Sequence, residues 1–354
     1  MKRPSLIKIV KYILLIATLS LFFVILYNYI KFKTFKFEFS QKYLCENIST
    51  KEQAWLFVEV NNPELEVALI EKLRIVLVSD SFKRVYEINL DKDLLLEDNT
   101  KYNKRNVIRV SDILIRSSTI NESNNYLESI KWYVEEIMSY RIDQVIIIPP
   151  IVYSRDKLEI NTLNDAVFDL NWKNVLVNGS EIKKVTGQIY STASPSQVVS
   201  LRNKLNEYNV IEKKISPMGD GEDIEAGRVY EYVETEQWND LLRSLEIYEN
   251  LLLEQAQIEI YNASNITGEG MRLSRWFKNL GLVVVRAENA PLMVLESCSG
   301  SMIYVVDQEK YKESLTEVVE IIDKRFGNNI KMIYNRPEFV ATGDIVIVLC
   351  EKQL

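Results

Sequence analysis

The sequence predicts an α/β protein built from an N-terminal transmembrane helix, an α/β domain and a small C-terminal α+β domain with a mixed sheet and two helices. Residues 12–30 form a nearly unbroken apolar run, β-rich runs alternate with helical spacing in the middle of the chain, and the last hundred residues follow the order β-α-β-β-α-β-β. The chain has 354 residues, of which 47% are hydrophobic and 26% charged. This composition is ordinary for folded chains, and the length suggests two domains after the anchor.

The apolar run at 12–30 predicts a single membrane span, because its residues would rise about 28 Å as a helix, close to the hydrocarbon thickness. No small-x-small cleavage pattern follows it, which favours an uncleaved anchor over a cleaved signal peptide. The tail at 1–11 is slightly more basic than the segment after the span. This favours a short cytoplasmic tail and an extracytoplasmic bulk, although flanks that differ so little leave the opposite orientation open.

Composition excludes several classes of function. The net charge is −7, yet the first 42 residues hold eight Lys or Arg and one Glu, so the rest of the chain is strongly acidic and nucleic-acid binding is disfavoured. The chain has no histidine, which removes Ser-His and Cys-His nucleophile pairs. Its three cysteines, Cys45, Cys298 and Cys350, form no Cys-x-x-Cys motif for metal or redox chemistry. Cys350 ends an apolar run, which favours a small buried side chain, and the alternative is a disulfide between Cys298 and Cys350.

The first globular domain is predicted at 43–215. β-rich runs at 54–60, 73–79 and 84–90 indicate strands of one sheet, and 144–148 is a buried strand stopped by two prolines. Apolar residues at three and four spacing indicate helices at 110–117 and 121–140. Ser194 and Gln197 form a capping box with Pro195 at the first helical position, which predicts a helix to about residue 208.

Residues 216–254 are predicted to link the two domains. The stretch 216–227 contains a proline, three glycines and four acidic residues, which indicates an exposed loop. Residues 235–253 have the apolar spacing of one long amphipathic helix that connects or packs the domains.

The C-terminal domain is predicted at 255–354, with helices on its sheet at 267–280 and 308–326. Gly281 is expected to end the first of these helices as a left-handed cap. The predicted strands are 257–261, 282–286, 301–306, 330–334 and 345–350.

From Ile258 onward this domain resembles the LytR C-terminal domain, which accompanies LytR-CpsA-Psr proteins of bacterial envelopes. The element order agrees over roughly ninety positions to about Leu349, with Ala263 a departure where the family usually has glycine. The residues that carry the resemblance are Asn262, Gly268, Gly270, Gly281, Asn289, Ala290, Gly343 and Asp344.

Asn262, Gly268 and Gly270 are the candidate ligand-binding residues of this domain. Glycines at a helix start could bring backbone N–H groups to a phosphate or carboxylate. The same Gly-x-Gly also permits a tight strand-to-helix turn with no ligand. Because a single Gly-x-Gly is a weak signal for a binding site, the structural role is favoured.

In the first domain, residues 88–93 resemble a degraded Ile-Pro-Arg-Asp element of the LytR-CpsA-Psr catalytic domain. That family transfers glycopolymers from polyprenyl-pyrophosphate carriers to peptidoglycan with arginines and magnesium. Asp91 replaces the proline, Lys92 replaces the arginine, and Asp93 matches. One lysine lacks the planar fork with which several guanidinium groups grip a pyrophosphate. Lys92 and Asp93 are therefore either vestigial catalytic residues or part of a solvated turn at a strand end.

The predicted function is a membrane-anchored, extracytoplasmic cell-envelope protein, single-pass in the cell membrane, acting as a non-catalytic binding or scaffolding module in cell-wall or glycopolymer maintenance. Its partners would be a cell-wall polymer or an envelope protein, with no nucleic acid, no metal and no cofactor. The alternative is a LytR-CpsA-Psr phosphotransferase that attaches a lipid-linked glycopolymer to peptidoglycan. Only that alternative requires magnesium.

Overall fold

The computed structural model of the 354-residue chain has a mixed α/β fold. The structure describes residues 6–34, 52–62, 64–98, 107–120, 125–148, 190–215, 219–223, 228–245, 247–264, 266–295, 300–326 and 330–350.

Helix α1 (Leu6–Thr34) contains the apolar run at 12–30. Its side chains are described at 14–27 and 30, and the large apolar ones among them are exposed, from 38% at Leu26 to 64% at Leu14. Among the residues that the structure describes, no helix is found that is both long enough and apolar enough to cross a membrane. The membrane span therefore stays a prediction.

The first domain is organised on a six-stranded sheet in the order β7-β6-β1-β2-β3-β8. The strands predicted at 54–60, 73–79, 84–90 and 144–148 are all present. β1, β2 and β3 pair antiparallel in the middle of the sheet, and each contains β-branched residues, which favour strands. The strands are β1 (Glu52–Val60), β2 (Ile70–Ser79), β3 (Arg84–Asp91), β6 (Gln144–Ile148), β7 (Tyr190–Ser191) and β8 (Asn209–Lys213).

Helices cover both faces of this sheet. Helices α2 (Ile113–Ile120) and α3 (Tyr126–Met138) pack on the face that carries Leu56 and Ile75. Helix α4 (Pro195–Glu207) covers the other face and begins at the predicted capping box, in which Gln197 N donates to Ser194 Oγ and Ser194 N donates to Gln197 Oε1.

A second, four-stranded sheet has the order β5-β4-β10-β9, and it corrects the prediction for 216–254. Residues 219–223, predicted as loop, form a strand that pairs antiparallel with β10, and 235–253 is two helices rather than one. Backbone pairing in a hairpin imposes extended structure on a segment whose composition favours a turn. The elements are β4 (Leu95–Glu97), β5 (Val107–Arg109), β9 (Gly219–Asp223), β10 (Arg228–Val233), α5 (Thr235–Arg243) and α6 (Glu249–Glu254).

The C-terminal domain is a five-stranded mixed sheet in the order β12-β11-β15-β13-β14, with both long helices on one face. The predicted order of elements is confirmed, and Gly281 takes the predicted left-handed conformation at φ +90°. A short helix and the residues around Phe339 pack on the other face. The elements are β11 (Gln257–Asn262), α7 (Glu269–Asn279), β12 (Val283–Asn289), α8 (Leu292–Leu295), β13 (Met302–Val305), α9 (Lys312–Phe326), β14 (Lys331–Ile333) and β15 (Ile345–Leu349).

The two domains meet where the end of α3 contacts α7 and α9. Glu136 of α3 pairs with Arg325 of α9 (Oε1 to Nη1, 2.7 Å) and with Arg272 of α7, and both arginines also pair with Glu269. Glu135 pairs with Lys324 at 2.6 Å. The carboxylates of Glu135, Glu136 and Glu269 are each less than a tenth exposed. Buried carboxylates need such partners, because an unpaired buried charge is strongly destabilising.

A second buried ion pair extends the contact between the domains. Arg141, which follows α3, contacts Asp143 at 2.8 Å and reaches Glu317 and Glu320 of α9 at 3.2 and 3.0 Å. Asp143 also accepts a hydrogen bond from the Ala54 N–H of β1 at 2.8 Å. Helix α9 is thus connected through the side chains of Arg141 and Asp143 to β1, a central strand of the first sheet.

We expect Glu136→Ala to lower the free energy of unfolding by about 1–3 kcal/mol, because Arg272 and Arg325 lose one buried partner and keep the other, Glu269. Arg243→Ala is the matched control, since its pairs with Glu236 and Asp240 are exposed and worth at most about 1 kcal/mol. Urea unfolding of the full chain in detergent measures both. Equal, small losses for the two variants would contradict a stabilising role for the buried pairs.

Candidate functional site

The turn that carries Lys92 and Asp93 lies at the end of β3 and is exposed. Asp93 N donates to Asp91 Oδ1 at 3.0 Å, and Leu94 N donates to Asp91 O at 3.2 Å, so Asp91 closes the turn. Lys92 Nζ donates to Glu71 Oε2 of β2 at 2.7 Å, with both side chains nearly half exposed. The hydrogen bond and charge of Glu71 raise the pKa of Lys92. A lysine held by a neighbouring carboxylate is poorly placed to receive a phosphate.

A buried polar cluster that sequence reasoning missed follows this turn. Asp98, just beyond β4, is fully buried and accepts a hydrogen bond from the Tyr133 hydroxyl of α3. Burial and then the Asp98 hydrogen bond raise the pKa of Tyr133, while Arg116 of α2 acts in the opposite direction. The three residues come from separate elements, so no local sequence motif predicts that they lie together. A buried acid such as Asp98 near a half-buried arginine such as Arg116 can bind a charged ligand or hold a core in place.

The segment of sequence between Asp98 and β5 contains further basic residues. Lys101, Lys104 and Arg105 lie at 99–106, outside the described residues. The resemblance at 88–93 did not extend to this basic stretch, which the sequence-based predictions therefore left out. Composition was the signal that could have found it.

In the C-terminal domain, Asn262 has a structural role in the turn after β11. Its Oδ1 accepts from Ser264 N at 3.1 Å and Ser264 Oγ at 2.6 Å, and its Nδ2 donates to Ile266 O at 2.9 Å. The side chain is 7% exposed. The polar groups of Asn262 are therefore engaged within the turn.

The two candidate glycines serve the same strand-to-helix turn. Gly268 has φ +82°, a left-handed conformation that favours glycine, and a Cβ there would meet no atom within 4 Å. A Cβ at Gly270 would lie 3.4 Å from the Asn262 Cβ, an ordinary van der Waals contact, so the helix start packs directly beside Asn262. Glu269 between them is buried and paired with Arg272 and Arg325. A carboxylate at the helix start reduces the attraction that this terminus offers to an anion.

On the opposite face of the C-terminal sheet, the Glu259 carboxylate binds the segment before β15. Its Oε1 accepts from Thr342 N, Thr342 Oγ1 and Gly343 N at 3.1, 2.7 and 3.1 Å, and its Oε2 accepts from the Tyr261 hydroxyl at 2.8 Å. A Cβ at Gly343 would lie 2.9 Å from the Glu259 Cγ and 3.0 Å from Gln257 O. Only glycine fits at that close approach.

Arg286 completes this arrangement on β12 by donating to the Tyr261 hydroxyl at 3.0 Å. Burial alone would raise the pKa of Glu259, but hydrogen bonds from Thr342 and Tyr261 and the charge of Arg286 outweigh it, so the pKa is lowered. The ionised carboxylate therefore stabilises the folded domain.

We expect the stability of the full chain to fall as the pH drops below about 4.5 and through the lowered pKa of Glu259. A depressed pKa means that protonation of the folded state costs free energy, so this contribution is present above the unfolded pKa and lost in acid. Glu259→Gln should lower stability at neutral pH and flatten its decline between neutral and acid pH. Unfolding monitored at several pH values tests this, with exposed Glu309→Gln as the control. An unchanged pH profile in Glu259→Gln would refute it.

Among the residues that the structure describes, no group of three or more His, Cys, Asp or Glu side chains is placed to hold a metal ion. The ligand-binding and catalytic candidates stay predictions: Lys92 and Asp93 lie in one domain, and Asn262, Gly268 and Gly270 lie in the turn of the other.

No family model matches the chain, and no curated protein matches it. The chain does resemble solved structures. It is 11% identical to TagT of B. subtilis over 58% of this chain and 94% of that one, with a TM-score of 0.35. It is 9% identical to TagV of B. subtilis over 55% and 95%, with a TM-score of 0.36. A third is the LytR-CPS2A-psr family protein YwtF (TagT) with bound octaprenyl pyrophosphate lipid, 12% identical over 58% and 93%, with a TM-score of 0.34. Of these structures, YwtF (TagT) is described as a LytR-CPS2A-psr family protein.

Proposed function

We propose that this chain is a membrane-anchored extracytoplasmic protein of the bacterial envelope, in which a LytR-like C-terminal domain acts as a binding or scaffolding module for cell-wall or glycopolymer maintenance. The observation that carries the proposal is α1, whose described apolar side chains pack against little of the protein. The exposed group includes Leu14, Ile16, Leu21, Phe22 and Phe23, each more than half exposed. Apolar surface of this extent is unfavourable in water and favourable in lipid.

Cys350 supports an extracytoplasmic location for the C-terminal domain. It is 1% exposed and disulfide-bonded, so the expectation of a free buried thiol gives way to the alternative, a disulfide. Its partner lies outside the described residues, as do the other two cysteines, Cys45 and Cys298. Disulfides persist in oxidising compartments and are rare in the cytosol.

The turn at 91–93 supports binding rather than catalysis. The Asp93 backbone N–H donates to the Asp91 carboxylate and Lys92 pairs with Glu71, so the side chains of Asp91 and Lys92 have a structural use. The ammonium of Lys92 offers a point charge where a pyrophosphate would require several bidentate guanidinium groups.

One observation favours the second candidate, a LytR-CpsA-Psr phosphotransferase. The cluster of Asp98, Tyr133 and Arg116 places an acid and an arginine together in the same domain. In that function Arg116 would contact the phosphates of a lipid-linked polymer. Magnesium would neutralise the negative charge of those phosphates.

We expect cysteine labelling to place residues 3 and 220 on opposite sides of the membrane. In intact cells, a membrane-impermeant thiol reagent should label Asp220→Cys but label Arg3→Cys only after lysis, and deletion of residues 1–34 should release the chain from the membrane fraction. Wild-type protein gives the background from the native cysteines. Labelling of Arg3→Cys in intact cells would reverse the orientation, and membrane retention after deletion would refute the anchor.

We expect purified full-length protein to sediment with cell-wall sacculi and to show no hydrolysis of polyprenyl pyrophosphate with magnesium. Asp93→Ala and Asp98→Asn test the alternative, with Asp240→Ala on the exposed face of α5 as the control. Turnover that both site variants abolish and the control retains would establish the phosphotransferase. Failure to sediment would count against wall binding by the C-terminal domain.

A further inference from the structure

We propose that β12 forms an interface with a second copy of this chain, in which the two β12 strands pair antiparallel and join the C-terminal sheets into one. This inference concerns assembly, and it does not depend on the ligand or on catalytic activity.

β12 is the edge of the five-stranded sheet, bonded to β11 on one side only among the residues that the structure describes. It has seven residues, whereas the opposite edge strand β14 has three. Short edge strands are one way in which proteins avoid sheet-to-sheet pairing. Val283 and Val285 of β12 are 44% and 49% exposed, so the longer edge also presents apolar side chains.

The charges on β12 select one partner and one register. Arg286 and Glu288 lie two residues apart on the same face of the strand, 3.8 Å from each other, and are 40% and 53% exposed. If a two-fold axis passes through Ala287, antiparallel pairing sets Arg286 of each copy opposite Glu288 of the other. Two reciprocal cross-strand ion pairs then form, and the self-complementary pattern fits a second copy of the same strand.

Neighbouring registers are less favourable. An axis at Arg286 would place like charges directly opposite each other, and an axis at Val285 would set Arg286 opposite Val284. The bulge at Val285, where the register between β11 and β12 shifts, further limits regular pairing to the end of the strand that begins at Arg286. The charges and the bulge therefore disfavour indiscriminate pairing while permitting this one.

The charge pattern allows a test by mixing two variants of the full chain in detergent. Arg286→Glu or Glu288→Arg alone sets like charges opposite each other in the self-pair, so each variant should dimerise about tenfold more weakly than wild type or worse. Mixed together, the two variants are complementary at both positions. Differently tagged copies should therefore co-purify as a heterodimer, measured by native mass spectrometry and light scattering. A defect in folding would not be repaired by mixing.

Cysteine cross-linking tests the register. Ala287→Cys lies on the proposed axis and should form a disulfide between copies under mild oxidation, because directly opposed cross-strand positions lie within disulfide reach. Lys331→Cys on β14, at the other edge of the same sheet, is the matched control and should remain uncross-linked above the wild-type background.

Three results would overturn the proposal. Wild-type protein that is monomeric at every concentration tested would exclude the homodimer. That result would also exclude the proposal if a different protein were found to bind this edge. Single variants that dimerise as well as wild type, or that fail to pair when mixed although each retains a native circular dichroism spectrum, would exclude the charge register. Equal cross-linking at 287 and 331 would exclude β12 as the interface.

Discussion

The ion pairs between α3 and the two C-terminal helices are the constraint on which the arrangement of this molecule depends. Glu135 and Glu136 are buried near the end of a first-domain helix, and their cationic partners Lys324, Arg325 and Arg272 all belong to the other domain. Without the C-terminal domain, Glu135 and Glu136 would lose these cationic partners, and without the first domain Arg272 and Arg325 would keep only Glu269. The free energy of keeping these charges paired therefore couples the two folds, even though each has its own sheet.

Hydrogen bonds beside these ion pairs orient the domains. Asn279 Nδ2 donates to the Met138 and Ser139 carbonyls at 3.1 and 3.2 Å, which satisfies backbone groups at the end of α3. Ser139 has a left-handed backbone conformation, and its hydroxyl accepts from Arg275 Nε at 2.5 Å. Glu254, at the end of α6, accepts from the Glu313 and Ser314 N–H groups at the start of α9. The connecting helices thus cap and position the elements that they join.

The predictability of each element follows from how local its determinants are. The C-terminal order could be predicted because its strands are β-branched runs and its helices have regular apolar spacing, with Gly281 marking a helix end. The segment Gly219–Asp223 could not, because it is a strand only through pairing with β10. The break between α5 and α6 was also missed, since buried residues such as Leu245 and Ile247 preserve an apolar pattern across it. The site shows the same division: the turn at Asp91 is local, whereas the Asp98–Tyr133 contact spans 35 residues.

The position of β15 has a consequence for biosynthesis. Among the described strands of this sheet it comes last in sequence, yet it lies inside the sheet, between β11 and β13, and all five of its residues are buried. The sheet that begins at residue 257 consequently cannot close until residue 349 has emerged from the ribosome and, for an exported chain, from the translocation channel. Until then β11 and β13 expose the edges that β15 will occupy. The nascent domain is open to proteases and chaperones throughout that interval, and a premature stop codon anywhere before β15 would leave it permanently so.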